Sequence, residues 1–429
     1  MKIRFHLPVI ISLILSILLS ICIYCSGCAS LSESDSETLT AENLQCEYKS
    51  SPLGIDTLQP RLSWTLESDV RGQEQTGYHI LVSTNLEDIK KNKGTRWNTG
   101  KVLSGETVNI AYDGKPLKSS TRYYWKVRAW DKDGKPGRWS KAAWFETALL
   151  NPTDWNAEWI NDGKENPAKE EDQYKFDPAP MFRKEFSVDK PVKQARLYIT
   201  GLGYYEAALN GNRVGDHMLD PGWTNYSKRV YYSTYDVTGQ LQKGDNCLGV
   251  MVGNGWYNPL PLRMWGHKNI REHLPIGRPR FIAKLDVTYA DGSTRTVTSD
   301  ESWKVTHGPI LKNSIYLGEV YDARKEIPGW NKPGFDDSAW ANAARSTEPV
   351  GKLVAQPLAP IRITKKLKPV KITEPEDGVY IVDMGQNFSG LASFNFNLEK
   401  GTRVDMRYGE LLYEDGTLNP MTAVCGQIK

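Results

Sequence analysis

Short stretches in which apolar and polar residues alternate recur along this chain, and glycine, proline, asparagine and aspartate separate them. The clearest are "YHILVS", "RYYWKVRAW", "ARLYIT", "CLGVMV", "FIAKLDVTY", "RTVTSD" and "VYIVDMG". A period of two is typical of half-buried β-strands, whereas the period of an amphipathic helix is nearly absent after residue 40. The sequence therefore predicts an all-β chain of tandem β-sandwich domains.

Residues 45–148 are predicted to form the first sandwich. Within Arg122–Trp130, every second residue belongs to a more apolar face, and Trp64 and Trp125 are expected in the core. About 100 residues with seven or so strands and a central tryptophan are typical of an immunoglobulin-like or fibronectin type III-like domain. Asp131–Gly134 is interpreted as a turn, because it lacks the later ligands of a calcium loop.

Two further β-domains are predicted after a charged, proline-containing linker. The second covers residues 155–345, where Asn210 and Gly211 have the composition of a type I′ hairpin turn. The third covers residues 350–429 and is interpreted as the start of another β-sandwich. Because the pattern stops within this block, we expect a truncated sequence, and a natural end is the alternative.

The N-terminal residues 1–28 differ from the rest of the chain. Lys2 and Arg4 precede an almost uncharged apolar run that ends near Tyr24, and small residues follow. This order indicates an export signal, although a membrane anchor is the alternative interpretation. The tripeptide before Ala29 resembles a bacterial lipobox, so Cys28 is the predicted lipidation site and residues 29–44 a flexible tether. We expect an exported lipoprotein, in the periplasm or at the outer membrane or cell surface, with a lipid as its sole membrane contact.

The charge and the cysteines exclude several classes of protein. The formal net charge is +3 and no run of lysine or arginine is present, which argues against a nucleic-acid partner. Outside the signal, Cys46, Cys247 and Cys425 are widely spaced. An odd and sparse set does not make a disulfide framework or a zinc site, so these thiols are predicted to be buried small hydrophobic residues.

No catalytic centre is recognisable. The chain has no G-x-S-x-G, no P-loop, no H-E-x-x-H and no G-x-G-x-x-G between a strand and a helix. The adjacent acids Asp300–Glu301 and Asp336–Asp337 are interpreted as turn residues, because neighbours in a strand point to opposite faces. No histidines have ligand spacing, and the metal content stays unknown.

Aromatic residues are the positive signal, with 14 tryptophans and 21 tyrosines. Sugars present C–H-rich faces that stack on rings, and hydroxyl groups that need amide, carboxylate or guanidinium partners. The loops at 220–226 and 253–269 contain this mixture. Trp223, Trp256 and Trp265 therefore either contact sugar or pack within loops. Tyr231 and Tyr235, on one face of the next strand, are expected in the core.

Several long segments resemble the N-terminal half of bacterial α-L-rhamnosidases, glycoside hydrolase family 78. Together they cover about residues 45–420 in family order. The segments are "PRLSWTLESDVRGQEQTGYHILVS", "STRYYWKVRAWDKDGK", "ARLYITGLGYYEAALNGNRVGDHMLDPGWTNYSKRVYYSTYDVT", "GVMVGNGWYN", "GEVYDARKEIPGW", "VDMGQNFSG" and "RYGELLYEDGTLN".

The resemblance implies the accessory part of a modular exo-glycosidase that removes terminal α-L-rhamnose with inversion. The two carboxylates of such enzymes lie in a C-terminal (α/α)6 barrel that is not in this sequence. We therefore assign no catalytic residue here and expect this chain alone to be inactive. Catalysis in the family needs no cofactor, and the expected partners are rhamnose-containing glycans or glycosides.

The resemblance also implies a jelly-roll, galactose-binding-like fold for the second domain, which in some family members binds rhamnose with calcium. Residue type and loop position suggest six carbohydrate-binding candidates: Asn210, Asp216, Asp220, Trp223, Asn254 and Trp256. Two alternatives remain open at this point. One is a stand-alone surface protein that binds glycans without cutting them, and the other is a set of structural spacers.

Overall fold

The computed structural model describes residues 39–264, 267–348, 350–399 and 401–423. They form two compact units. Unit 1 contains residues 57–117 and 121–146 and the segment that ends at Pro52, and unit 2 contains residues 53–56, 118–120 and those from Thr147 onward. Strands dominate both units, which confirms the predicted all-β class. In the described part of the chain, no helix combines the length and apolarity needed to cross a membrane.

Unit 1 is built from antiparallel strands and one short helix. One sheet has the order β1-β3-β6, and the other has β9-β7-β4-β5 with β8 paired to β7. The strands up to residue 147 are β1 (Thr40–Cys46), β2 (Leu53–Ile55), β3 (Arg61–Glu67), β4 (Gly77–Ser83), β5 (Trp97–Asn98), β6 (Ile110–Ala111), β7 (Arg122–Trp130), β8 (Pro136–Trp139) and β9 (Ala143–Thr147). The helix is α1 (Leu86–Lys90). Strand β2 belongs to unit 2.

The core of unit 1 lies where the two sheets meet. Trp64 of β3 packs edge-on against Tyr78 of β4, with ring centroids 5.4 Å apart. Trp125 and its alternate neighbours on β7 are fully buried. Both tryptophans are thus in the core, as predicted. Asp131 closes the β7–β8 turn by accepting hydrogen bonds from the backbone N–H groups of Asp133 and Lys135.

The outer face of β7 is also largely covered, which the alternating pattern did not predict. The Arg128 guanidinium lies 5.0 Å from the Trp130 ring and 4.8 Å from the Trp139 ring. The Lys126 ammonium lies 5.0 Å from the Trp139 ring and donates a hydrogen bond to Asn92. Cation–π contacts across neighbouring strands therefore shield a face that alternation alone would leave in water.

Unit 2 contains a larger sandwich of two sheets. One has the order β25-β10-β19-β12-β15-β26 with β20 paired to β19, and the other has β14-β13-β16-β11-β21-β24. The strands are β10 (Ile160–Asn161), β11 (Pro180–Val188), β12 (Val192–Leu202), β13 (Tyr205–Leu209), β14 (Asn212–Arg213), β15 (Arg229–Asp236), β16 (Gly244–Val252), β17 (Arg263–Met264), β18 (Lys268–Asn269), β19 (Arg280–Tyr289), β20 (Thr294–Thr298), β21 (Lys304–His307), β22 (Ile310–Ser314), β23 (Gly318–Tyr321), β24 (Ala341–Asn342), β25 (Ala344–Arg345) and β26 (Lys352–Ala355). Single 3₁₀ turns lie at Pro152–Asp154, Glu170–Tyr174, Thr238–Gln240, Ile270–Glu272, Ala323–Lys325 and Pro420–Ala423.

The two sheets of unit 2 share one apolar core. Phe182 of β11 meets Phe281 of β19 with ring centroids 4.9 Å apart, and Phe281 also contacts Trp303 at 5.2 Å. All three side chains are fully buried. The pairing of β15 with β26 is parallel, so β26 closes the edge of the seven-stranded sheet beside β15.

The β13–β14 hairpin has the predicted turn. Asn210 and Gly211 have φ values of 55° and 82°, and Leu209 pairs with Asn212 across the turn. Positive φ at both central positions defines a type I′ turn, which fits the right-handed twist of the flanking strands. The Asn210 side chain is used to support this hairpin: its Oδ1 accepts from the Cys247 N–H and its Nδ2 donates to Asn246.

Buried arginines connect loops of unit 2 to its sheets. The Arg183 guanidinium donates to the backbone carbonyls of Trp330 at 2.8 Å and Lys332 at 3.0 Å, and it pairs with Glu185 and Asp337. Such a fork satisfies several loop carbonyls that would otherwise be buried without a donor.

After β26 the described chain forms two hairpins, with the strands β27 (Lys371–Glu376), β28 (Val379–Asp383), β29 (Leu411–Leu412) and β30 (Leu418–Asn419). Each strand pairs only within its own hairpin. None of the described residues from 361 to 422 is buried, and many large apolar side chains among them are exposed. This segment therefore presents strands without a core of its own, and a complete third sandwich stays a prediction.

Candidate functional site

Two tryptophans from separate loops stack on the surface of unit 2. The rings of Trp223 and Trp256 lie 4.8 Å apart at an angle of 24°, and Tyr316 meets Trp256 edge-on at 5.8 Å. Trp223 is 50% exposed and Tyr316 is 38% exposed. We call these three residues the aromatic platform. Contiguous exposed apolar side chains can mark a ligand-binding surface, so the platform is a candidate site.

The loop that carries Trp256 is fixed by an amide pair. The Asn254 N–H donates to Oδ1 of Asn313 at 2.6 Å, and Asn254 Nδ2 donates to the Asn313 carbonyl at 3.0 Å. Asn313 is in strand β22, whose hairpin carries Tyr316, so the pair connects two arms of the platform. Gly255 has a φ of +48°, and a Cβ there would lie 2.9 Å from the backbone of Gly203. A glycine is therefore required for this close approach.

A buried carboxylate fixes the loop that carries Trp223. Asp220 is 4% exposed, and its Oδ2 accepts from Tyr205 at 2.7 Å, from Ser233 at 2.5 Å and from Tyr235 at 3.2 Å. Burial alone would raise the pKa of Asp220, but hydrogen bonds from His217, Ser233 and Tyr205 outweigh it and lower that pKa below its ordinary value. Asp220 is therefore a charged structural anchor beneath the loop.

The six candidate residues do not all meet. Trp223, Trp256 and Asn254 belong to or support the platform, and Asp220 lies at the base of its loop. Asn210 supports the β13–β14 turn, and Asp216 pairs with Arg362 at 2.8 Å. Their assignment to carbohydrate stays a prediction. Trp265 and the predicted lipidation site Cys28 lie outside the described residues.

Sequence reasoning missed Tyr316 and Asn313. Both lie in or next to the β22–β23 hairpin, about 60 positions after Trp256. The sequence signal that could have identified Tyr316 was an aromatic residue in the turn between two short alternating strands. Tyr231 and Tyr235 are buried, as expected, and Cys46 and Cys247 are free and buried. Cys425 lies outside the described residues.

The arrangement supports binding rather than bond cleavage. Exposed rings for stacking are present, whereas Asp220, the buried acid at the base of the Trp223 loop, is occupied by three hydroxyl donors. Asp300 and Asp336 accept hydrogen bonds from the backbone of Ser302 and Ser338, as expected of turn residues. Within the described ranges, no three histidine, cysteine, aspartate or glutamate side chains are close enough to hold one metal ion.

Three family models match the chain in sequence order. They are the Rha78A-like N-terminal immunoglobulin domain at residues 41–151, the alpha-L-rhamnosidase N-terminal domain at residues 190–365, and the bacterial alpha-L-rhamnosidase concanavalin-like domain at residues 373–427. The platform residues lie within the second of these ranges.

Two known proteins that are similar in sequence to this chain are both named alpha-L-rhamnosidase. An alpha-L-rhamnosidase of Formosa agariphila is 35% identical over 93% of the chain, and one of Streptomyces avermitilis is 30% identical over 87%. The chain spans 43% and 51% of their respective lengths, about half.

Two solved structures are similar in fold as well as in sequence. The alpha-L-rhamnosidase from Dictyoglumus thermophilum has a TM-score of 0.77 and 42% identity, covering 89% of this chain and 42% of that one. The Streptomyces avermitilis alpha-L-rhamnosidase complexed with L-rhamnose has a TM-score of 0.76 and 28% identity, covering 89% and 52%.

The anchor of the Trp223 loop predicts a pH-dependent effect of Asp220→Asn. Because folding lowers the pKa of Asp220, its stabilisation is present above an unfolded-state pKa of about 3.9 and is lost as pH falls through the folded-state pKa. We expect Asp220→Asn to lower the free energy of unfolding by about 2 kcal/mol at neutral pH, and by less at about pH 3.5.

Urea unfolding followed by tryptophan fluorescence measures both values. The control is Asp245→Asn, an exposed aspartate in β16 for which we expect a change within about 0.5 kcal/mol. An equal loss at both pH values would show that the charge of Asp220 does not contribute.

Proposed function

We propose that this chain, which belongs to the bacterial α-L-rhamnosidase family through its N-terminal domains, is the carbohydrate-binding accessory portion of an enzyme that hydrolyses terminal α-L-rhamnosyl residues. The observation that carries the proposal is the run of three family matches in order across residues 41–151, 190–365 and 373–427. The aromatic platform lies in the second of these ranges and supplies a surface suited to a sugar.

We place the chemistry outside this chain. Inverting hydrolysis needs one carboxylic acid to protonate the leaving oxygen and one carboxylate to activate water on the opposite face of the sugar. The two candidate aspartates do not supply this pair, since Asp220 is buried beneath its loop and Asp216 is paired with Arg362. The contribution proposed for this chain is therefore to hold rhamnose-containing glycans or glycosides near the catalytic part of the enzyme.

The platform suits rhamnose for a physical reason. L-rhamnose is a 6-deoxy sugar, so a methyl group adds to the apolar C–H surface that can stack on an indole. Trp223 offers a half-exposed ring for this contact, and the Asn254–Asn313 pair keeps the neighbouring ring in place. The solved structure of the similar Streptomyces avermitilis enzyme, described as a complex with L-rhamnose, supports this choice of ligand.

Calcium has no role in the proposal. The ion takes six to eight oxygen ligands, usually with several carboxylates among them. The described carboxylates do not gather in this way, since no three metal-ligating side chains lie together. A calcium ion in the second domain stays a prediction from the family resemblance.

Export and anchoring are a further part of the proposal. Residues 1–38 lie outside the described residues, so support comes from the sequence alone: Lys2 and Arg4, the apolar run, and the tripeptide Ser26-Gly27-Cys28. A diacylated or triacylated cysteine would hold the folded units at a membrane, and place them where extracellular glycans are met. The predicted tether of residues 29–44 is too long, because its last five residues belong to β1, which begins at Thr40 and pairs with β3.

Replacing Trp223 tests the platform. We expect Trp223→Ala to bind L-rhamnose roughly tenfold more weakly, because loss of about 60 Å² of apolar contact corresponds to about 1.5 kcal/mol. The ring is half exposed, so the circular dichroism spectrum and unfolding midpoint should stay close to those of the wild type. The measurement is calorimetric or NMR titration with L-rhamnose.

The matched control for Trp223→Ala is Tyr380→Ala, which removes an exposed aromatic side chain of β28. Its affinity for L-rhamnose should equal that of the wild type. Unchanged affinity in Trp223→Ala would remove the platform from the proposal.

The division between binding and chemistry predicts that the 429-residue protein has no hydrolytic activity. We expect no release of 4-nitrophenol from 4-nitrophenyl α-L-rhamnopyranoside above the buffer rate, with the Streptomyces avermitilis enzyme as positive control. Turnover by the purified chain would contradict the assignment of the two carboxylates to residues outside it. If the source gene ends at codon 429, a stand-alone glycan-binding protein becomes the better description.

Lipidation at Cys28 predicts incorporation of a fatty-acid label. Cells that express the protein with an alkyne-bearing fatty acid should yield a labelled, membrane-associated product, and Cys28→Ala should lose both label and membrane association. Cys22→Ala, in the apolar run six positions earlier, is the control and should keep them. A labelled Cys28→Ala protein would show that the lipid is attached elsewhere.

A further inference from the structure

A concave site is lined by none of the six candidate residues. It has a volume of about 310 Å³ and is formed by the segment before β10 and the segment around the end of β25. We call it the Trp159 groove. Its lining residues are Ala157, Glu158, Trp159, Arg345, Ser346 and Thr347.

The walls of the groove are held by backbone hydrogen bonds. The Ser346 N–H donates to the Trp159 carbonyl at 2.8 Å, next to the pairing of Ile160 with Arg345. The Glu158 N–H donates to the Ser299 carbonyl at 2.9 Å, and the Ser299 hydroxyl donates to the Glu158 carbonyl at 2.5 Å. The groove is thus part of the sheet edge rather than a loose loop.

The lining combines the groups that a sugar ring requires. The Trp159 indole provides an apolar wall, and the Glu158 carboxylate lies 3.3 Å from the Arg345 guanidinium. The carboxylate accepts hydrogen bonds from hydroxyl groups, and the guanidinium donates to ring or hydroxyl oxygens. Because the two charges balance, the groove favours a neutral ligand over an anion or a cation.

A buried arginine stands behind the groove. Arg280 is fully buried, and its Nη1 donates to Oγ of Ser346 at 2.6 Å and to the Glu348 carbonyl at 3.1 Å. Its guanidinium carbon lies 5.3 Å from the Trp159 ring centroid. Because Ser346 Oγ accepts from Arg280, its own proton is free to be donated, and no protein acceptor for it is found in the described residues.

Two further nitrogens of Arg280 lack a hydrogen-bond acceptor in the described part of the chain. Nε and Nη2 are buried and have no partner among the described residues. A buried guanidinium N–H without an acceptor is costly, and ordered water or a ligand oxygen commonly satisfies such a group. Arg280 therefore keeps donors without an acceptor next to Ser346 and Trp159, although it does not itself line the Trp159 groove.

We propose that the Trp159 groove binds a single neutral pyranose ring, separately from the aromatic platform. Its volume is at the lower end of the range for small-molecule sites, which suits one ring rather than an oligosaccharide chain. Stacking on Trp159, hydrogen bonds to the Glu158–Arg345 pair, and donation from Ser346 would hold the ring. The proposal stands on these residues alone and does not require the platform to bind.

The test uses the whole chain with Trp223→Ala as background, so that the platform is weakened. Saturation-transfer NMR and titration with L-rhamnose, methyl α-L-rhamnoside and D-glucose measure binding to this background. Adding Arg345→Ala, whose side chain is 57% exposed, should raise the dissociation constant roughly tenfold, the effect of one lost hydrogen bond to a charged group. Adding Thr347→Tyr, which fills the groove from an exposed position, should abolish binding, and Lys365→Ala is the neutral control.

The outcomes separate this proposal from the platform. Binding that survives Trp223→Ala and is lost with Thr347→Tyr supports the groove. A preference for the methyl glycoside over the free sugar would indicate the end of a glycan as the source of the ring. If Trp223→Ala alone abolishes binding, or if Arg345→Ala and Thr347→Tyr have no effect, the groove proposal fails and the platform stands. No binding to the wild type would overturn both.

Discussion

The contact between the two sheets of unit 2 determines where every candidate binding residue lies. Phe182 and Phe281 meet at 4.9 Å in a core from which water is excluded, so the strands that leave this core have fixed directions. The loops that connect these strands therefore begin and end at fixed positions. The aromatic platform and the Trp159 groove are both assembled at strand ends, which is why neither needs a continuous sequence motif.

Polar groups beneath the loops provide the second layer of order. The Asp220 carboxylate, the Arg183 guanidinium and the Arg280 guanidinium are almost completely removed from water, and each connects separate strands and loops. A buried charge costs free energy unless it is hydrogen-bonded, so its partners are confined to a narrow geometry. In Asp220 the result is a fixed loop with a lowered carboxyl pKa. In Arg280 two nitrogens, Nε and Nη2, have no hydrogen-bond acceptor among the described residues.

The sequence predicted the features that local interactions determine. The Asn210–Gly211 turn followed from the backbone freedom of two adjacent residues, and the buried face of β7 followed from its period of two. The covered outer face of β7 did not follow, because Arg128 reaches a tryptophan on another strand. Tyr316 was missed for the same reason, since it joins Trp256 only through sheet topology. The platform was therefore partly predictable: its tryptophans from loop composition, and its tyrosine as an aromatic turn residue but not as a neighbour of Trp256.

The position of strand β26 determines when the second domain can complete its fold during synthesis. It pairs in parallel with β15, although more than 100 residues separate Lys352 from Arg229 in sequence. During synthesis from the N-terminus, the backbone edge of β15 therefore stays open until the ribosome has released residue 355. An open edge is a template for pairing with other chains. A recombinant second domain that stops at residue 345 would carry that edge permanently, and extending it by ten residues would supply the strand that covers it.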